Sequence, residues 1–221
     1  MGGLRKPKPY KGLAMEGMIA RWYAKNTGQS IAEFQALAKR IAEELPQGSR
    51  VLELAPGPGY LAIELARRGY RVTGVDISRT FVDIAAANAV HAGVLADFRQ
   101  GDAAALPLPD NTFDFIVCRA AFKNFGDPLG ALHEMYRVLR PGGTALIIDM
   151  RSDASDHEIA AEVDRMQLGR GTALMTRAIL RTLRSRAYSR AAIAEMVSRT
   201  AFGTADIADA PIGFDVRSRK T

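Results

Sequence analysis

Apolar residues recur with two different periods along this 221-residue chain, and the change of period divides it. Met15, Met18, Ile19 and Trp22 repeat at helical spacing, followed by Tyr23. A capping box, Ser30-x-x-Glu33, opens a second helix. Its stripe of Ile31, Phe34, Leu37, Ala38, Ile41 and Leu45 stops before Pro46 and Gly48. From residue 50 the pattern turns to short apolar strands at 50–55, 71–75, 97–100, 113–118 and 144–149. Helical stretches at 60–68, 78–91 and 128–139 lie between most of them, the last with Asp127 as N-cap and Pro128 at the first helical position. This alternation predicts right-handed βαβ units and a doubly wound, mostly parallel α/β sheet buried on both faces. Ligands bind such sheets beyond the carboxyl ends of the strands.

The rhythm breaks after strand five. Residues 155–187 read as helical, opening on a second capping box, Ser155-x-x-Glu158. A helix at 189–200 follows, with Ile193, Met196, Val197 and Thr200 on one face. Strands at 202–207 and 212–217 are too close in sequence for a crossover and predict an antiparallel pair at the sheet edge. The chain thus reads as one domain. Residues 1–47 form an amino-terminal arm and lid helices, 48–150 a ligand-binding core, and 151–221 a helical insertion with a closing hairpin.

Composition narrows the classes. Hydrophobic residues at 48% and charged residues at 24% are globular values. The single cysteine, Cys118, forms no intrachain disulfide, and no Cys/His spacing suits zinc, so no metal is expected. The basic start MGGLRKPKPY leads into no apolar h-region, and no run of 18 apolar residues occurs. The expectation is a soluble cytoplasmic protein. The net charge is +6, unevenly placed. Residues 1–49 carry 8 basic against 4 acidic groups, 50–150 carry 10 against 11, and 151–221 carry 12 against 9. The excess lies outside the core, in the segments expected to cover a substrate.

The candidate chemistry sits where the first strand ends, in Glu53-Leu54-Ala55-Pro56-Gly57-Pro58-Gly59. Gly57 and Gly59 permit a tight strand-to-helix turn and close approach of backbone to ligand. Pro56 and Pro58 remove two N–H groups, a poor choice for cradling pyrophosphate. Glu53 shares a strand face with Val51 and Ala55, and a buried carboxylate needs a partner. A ligand carrying an ammonium and a sulfonium supplies one.

Here the chain resembles the class I S-adenosylmethionine-dependent methyltransferases, with a Rossmann-like fold of seven strands and an antiparallel edge strand. VLELAPGPGYLAIELA resembles their glycine-rich motif and VTGVDIS their acidic motif after the second strand. FRQGDAAALPLPDNTFDFIVCR resembles the third and fourth motifs. Within the family, AAFKNFGDPLGALHEMYRVLRPGG is similar to the ubiquinone/menaquinone-biosynthesis C-methyltransferases. The resemblance implies S-adenosylmethionine as cofactor and S-adenosylhomocysteine as product. It implies that Glu53, Ala55, Gly57 and Gly59 surround the methionine half, Asp76 takes the ribose hydroxyls, and Ile77 packs on the adenine. Asp102 accepts from the adenine amino group beside the Ala103 N–H, and Cys118 and Arg119 line the cofactor's open side. Tyr23 stands where an aromatic contacts the cofactor carboxylate in related enzymes. Trp22, Phe122 and Asp149 are the substrate-side candidates.

The resulting expectation is methyl transfer to a small-molecule acceptor by in-line displacement, which needs alignment more than acid–base help. No catalytic base is assigned. Three other readings stay open. Between Arg165 and Arg190 stand seven arginines and no acid, so an RNA- or lipid-directed methyltransferase using segment 165–190 is the first, its helix near 170–186 suiting nucleic acid or anionic membrane as well as solvent. Gly57-x-Gly59-x-x-Ala62 with Asp76 also satisfies a NAD-dependent oxidoreductase fingerprint. A catalytically silent cofactor-binding partner subunit is the third.

Overall fold

A computed structural model describes residues 10–11, 15–18, 20–21, 24 and 31–221. Helix α1 (Ile31–Ala42) precedes strand β1 (Arg50–Leu54), and α2 (Tyr60–Arg67) leads to β2 (Arg71–Asp76). Helix α3 (Arg79–His91) then joins β3 (Ala96–Gln100), and a helix-free loop runs to β4 (Phe113–Arg119). A 3-10 turn at Phe122–Asn124, helix α4 (Pro128–Val138) and strand β5 (Leu139–Met150) follow. Helices α5 (Asp156–Arg165), α6 (Arg170–Arg184) and α7 (Arg190–Ser198) lead to β6 (Asp206–Asp209) and β7 (Gly213–Arg219).

The seven strands form one sheet in the order β3-β2-β1-β4-β5-β7-β6. Strands β1 to β5 are parallel; β7 is antiparallel to both β5 and β6. The reversed strand therefore sits one place in from the margin, and β6 is outermost. The sheet is apolar on both sides, as parallel strands covered by helices require. Phe34, Leu37 and Ile41 of α1 and Leu61 and Leu65 of α2 pack on Val51, Phe115 and Leu146. On the other face, Leu132 and Met135 of α4 and Ile193 and Val197 of α7 pack on Leu52, Ile116 and Phe214. Each such side chain contributes roughly 1.5–3 kcal/mol when fully buried.

Four helices, α3, α4, α5 and α7, start from side-chain caps. Ser78 accepts from the Phe81 N–H, Asp127 from the Gly130 N–H, and Ser189 from the Ala192 N–H. Ser155 and Glu158 form the expected capping box of α5. Each cap contributes about 1 kcal/mol.

Several boundaries differ from expectation. Residues 155–187 are two helices, because the chain turns at Gln167 (φ 52°) and restarts from Gly169. The strand expected at 202–207 begins at Asp206, after a turn through Gly203 (φ 69°). Strand β5 begins at Leu139, and its pairing with β4 is shifted between Phe113 and Phe115. In the amino-terminal segment Gly17, Met18, Ala20, Arg21 and Ala24 are helical, but the buried residues are Ala20 and Ala24, while Met18 is exposed. Ser30 of the first capping box lies outside the described residues, as do Trp22 and Tyr23. Among the described residues no helix is long and apolar enough to cross a membrane.

Candidate functional site

The carboxyl ends of β1, β2 and β3 are stitched together by backbone hydrogen bonds. The Ala55 N–H donates to the Val75 carbonyl at 2.8 Å, and the Gly101 N–H to the Asp76 carbonyl at 2.9 Å. Between them the chain leaves β1 with left-handed residues at Ala55 (φ 54°), Gly57 (φ 54°) and Gly59 (φ 80°). A non-glycine residue at such an angle is strained and survives only where its surroundings hold it. Gly59 has a second requirement: a Cβ there would lie 2.9 Å from the Ala85 Cβ and 3.0 Å from the Phe98 ring. A Cβ on Gly57 would meet nothing within 4 Å, so this part of the loop borders open space.

Asp76 closes the loop. Its carboxylate accepts from the Gly57 N–H at 3.0 Å and the Ser78 N–H at 2.9 Å, one on each oxygen. Burial pushes its pKa up, partly opposed by those two donors. Ser78, rather than Asp76, caps α3. Ile77 is exposed beside it, and its carbonyl accepts from the Gln100 side chain at 3.2 Å. Asp102 turns its own backbone, accepting from the Ala104 N–H at 2.9 Å, with Ala103 between them.

Glu53 is the unusual group. It is 4% exposed, and its Oε2 has no hydrogen-bond partner among the described residues. Its pKa is pushed up to about 8, first by burial; the Ala62 N–H and the Arg119 charge lower it, and the Asp76 charge raises it. An unsatisfied buried carboxyl oxygen costs roughly 1–3 kcal/mol, and an ammonium donor placed there would relieve that. Five of the expected positions, Glu53, Asp76, Ile77, Asp102 and Ala103, thus lie along adjacent strand ends with the loop of Ala55, Gly57 and Gly59.

The remaining expectations need correction or qualification. Cys118 is fully buried in the α4-side core, where burial raises its pKa, so its thiol lines no open side. Phe122 is equally enclosed, its ring 5.4 Å from Phe125 and 5.9 Å from Tyr188. Asp149 is occupied: it pairs with Lys123 at 2.7 Å and accepts from the Lys123 and Met150 N–H groups. Arg119 is drawn to α1, stacked 4.7 Å over Phe34 and bonded to Glu33 at 2.7 Å. The arginines of 165–190 do not form a free basic face, since Arg177 pairs with Asp164, and Arg181 and Arg184 with Asp156.

Two contributors carried no sequence signal. Glu16 accepts from the Arg79 and Thr80 N–H groups, laying the amino-terminal segment over the start of α3. Asn124 is buried with its Oδ1 unsatisfied, while the Lys11 N–H donates to its carbonyl at 3.0 Å. An open groove of about 1140 Å³, bordered by Arg50, Arg71, Thr73 and Pro109, lies at the amino ends of the strands, away from these groups. Among the described residues no cluster of His, Cys, Asp and Glu could hold a metal.

This strand order, with a strained glycine-bearing loop after β1 and a carboxylate at the end of β2, is that of the Rossmann-like methyltransferase fold. Residues 52–147 belong to the methyltransferase domain family, for which S-adenosylmethionine is the methyl donor. The chain is 41% identical over 102 residues to demethylmenaquinone methyltransferase of Thermus thermophilus, covering 45% of this chain and 46% of that protein. It is 35% identical over 156 residues to the protein of the same name from Deinococcus radiodurans, covering 67% and 65%. These matches span between about half and two thirds of the relatives' own length. The fold is that of an S-adenosylmethionine-dependent methyltransferase from Aquifex aeolicus (TM-score 0.63, 19% identity, 86% of this chain and 98% of that one).

Proposed function

We propose that this chain transfers the methyl group of S-adenosylmethionine to a ring carbon of a small quinone-type acceptor in its reduced quinol form, whose electron pair displaces the sulfur and whose ring C–H proton then passes to water. The observation that carries the cofactor half is the buried Oε2 of Glu53, an acceptor that no described residue answers. The acceptor half is supported by likeness to the demethylmenaquinone methyltransferases, at 35% identity over 156 residues.

The donor supplies an activated methyl group on a positively charged sulfur whose departure needs no acid. The chain's own work is then binding, orientation and exclusion of water. Glu53 would hold the ammonium end, with Ala55, Gly57 and Gly59 as the backbone around it. Asp76 would accept from the ribose hydroxyls, a task for which two carboxylate oxygens on one group are suited. Both oxygens already take a backbone N–H, which fixes the carboxylate while leaving further lone pairs. Ile77 offers an exposed apolar surface to the adenine, and Asp102 with Ala103 lies at the next strand end. Asp149 is held by Lys123 and His157 is exposed on the first turn of α5, so neither is assigned as a base.

Thermal denaturation with S-adenosylmethionine, S-adenosylhomocysteine and NAD tests the cofactor half, because a ligand that binds only the folded chain raises its midpoint with saturation. The expected result is a rise with the first two and none with NAD, lost in Asp76→Ala; a response to NAD alone refutes the reading. Incubating the chain with S-adenosylmethionine and a demethylated naphthoquinol, then finding no carbon-methylated product, would sink the acceptor assignment.

A further inference from the structure

Helix α6 is amphipathic in the sense opposite to a helix packed on a domain. None of its 15 residues is buried. At 100° per residue, Arg170, Arg177, Arg181 and Arg184 share one stripe, and Met175 and Ile179 lie across from it. Three of the four arginines are engaged with α5. Arg177 reaches Asp164 at 2.7 Å, Arg184 reaches Asp156 at 2.9 Å, and Arg181 reaches the same Asp156 at 3.1 Å. Arg184 also donates to the Ala154 carbonyl at 2.8 Å. The exposed arc between Arg170 and Ile179 is largely apolar: Leu174, beside the arginine stripe, is 70% exposed, Met175 58% and Ile179 48%, interrupted by Thr182, with Met166 at 44% just before the helix.

We propose that this face of α6 docks the protein on an anionic lipid bilayer, the helix lying in the headgroup plane with Leu174, Met175 and Ile179 inserted. Three observations favour a lipid surface. The first is size. A 15-residue helix is about 22 Å long and roughly 10 Å wide. It presents a few hundred Å², well below the roughly 800 Å² that each partner of a stable protein interface covers. An interfacial helix inserts a face of that size.

The second is charge. Residues 151–190 carry eight arginines against five acids. Arg170 at the start of α6 and Arg186 just past its end have no ion pair among the described residues, which leaves an unneutralised positive charge at each end of the helix. The third is position. The helical hairpin α5–α6 leaves the sheet at the carboxyl end of β5, the end where the cofactor loop lies. Docking there brings that end of the domain to the lipid. The proposal does not depend on which acceptor is methylated.

The test is co-sedimentation of the full chain with vesicles of phosphatidylcholine mixed with phosphatidylglycerol, against phosphatidylcholine alone. Binding is expected with the mixed vesicles, falling on the order of ten-fold or more in Leu174→Ser/Met175→Ser/Ile179→Ser. Because none of the three is buried, that variant should keep its circular dichroism and its thermal response to S-adenosylhomocysteine, which separates lost docking from a lost cofactor site. A second readout is Leu174→Trp, whose added emission should shift to the blue with mixed vesicles. The proposal is overturned if the unsubstituted chain does not sediment with them, if the triple variant binds as tightly, or if the added emission stays unshifted. A concentration-dependent dimer that the triple variant disperses would assign the face to a second copy of the chain, and so would overturn it too.

Discussion

If Glu53 holds the ammonium as proposed, it couples the stability of the fold to the occupancy of the site, and its ionisation can be read in both. An ordinary glutamate titrates near 4.5, whereas this one is pushed up to about 8. Between those values the folded chain keeps a proton that the unfolded chain has released. Stability is therefore whole below the ordinary carboxylate range and falls as pH rises toward about 8. The gap of about 3.5 units, at about 1.36 kcal/mol each, sets a ceiling of about 5 kcal/mol. That is a large part of the 5–15 kcal/mol typical of a domain. Glu53→Gln keeps the shape and removes the charge, so denaturant unfolding should find the ligand-free variant a few kcal/mol more stable than the parent above about pH 8, and close to it near pH 5.

The ligand half follows from the same carboxyl. An ammonium held at Oε2 favours the carboxylate, so S-adenosylhomocysteine binding near pH 6.5 should expel close to one proton. Calorimetry in phosphate and in Tris reads this as different apparent heats, a difference that Glu53→Gln should lose together with affinity. Binding without proton release, or a variant that binds product as tightly as the parent, would refute the placement of the ammonium.

The glycine loop and the buried ion pair give sharper stability tests. Gly59→Ala forces a Cβ against Ala85 and Phe98 at φ 80°, and should cost about 2–3 kcal/mol, a fall of roughly 4–12 °C in Tm. Gly57→Ala meets no atom, so only the strain of its left-handed angle applies, about 1 kcal/mol; equal losses at both positions would contradict this packing. Lys123→Met leaves the Asp149 carboxylate buried without its partner and should cost about 3–5 kcal/mol in urea unfolding. Adding Asp149→Asn should recover most of that loss, and a single variant that unfolds like the parent would show that the pair is not structural.

The parallel half of the fold was legible because its signals are local and mutually consistent. Strands buried on both faces, Asp127 before Pro128, and Ser155 three residues before Glu158 each mark an element without reference to the rest of the chain. The clustering of Glu53, Asp76, Ile77, Asp102 and Ala103 was legible for the same reason, because these residues stand at or just past the ends of strands that lie side by side. Beyond β4 that logic fails. Cys118 is followed by Arg119, and alternation turns the first into one core and the second toward α1. Whether Asp149 faces a ligand or a lysine depends on how the turn after β4 folds Lys123 back. The arginine run showed the same limit: periodicity revealed two faces of α6, but which face meets α5 was decided by Asp156 and Asp164, on a different helix.

The helical hairpin of α5 and α6 begins and ends at one point. Arg151 is bridged to Tyr188, and the Ser152 N–H donates to the Tyr188 carbonyl at 3.0 Å. A segment whose two ends already touch can be lengthened, shortened or exchanged at little entropic penalty to the chain that carries it. Ala154, Ile159 and Val163 are buried within this segment but belong to neither main core, so a replacement has to supply apolar side chains at those three places. Residues 153–187 are thus the segment of this chain whose exchange asks least of chain closure.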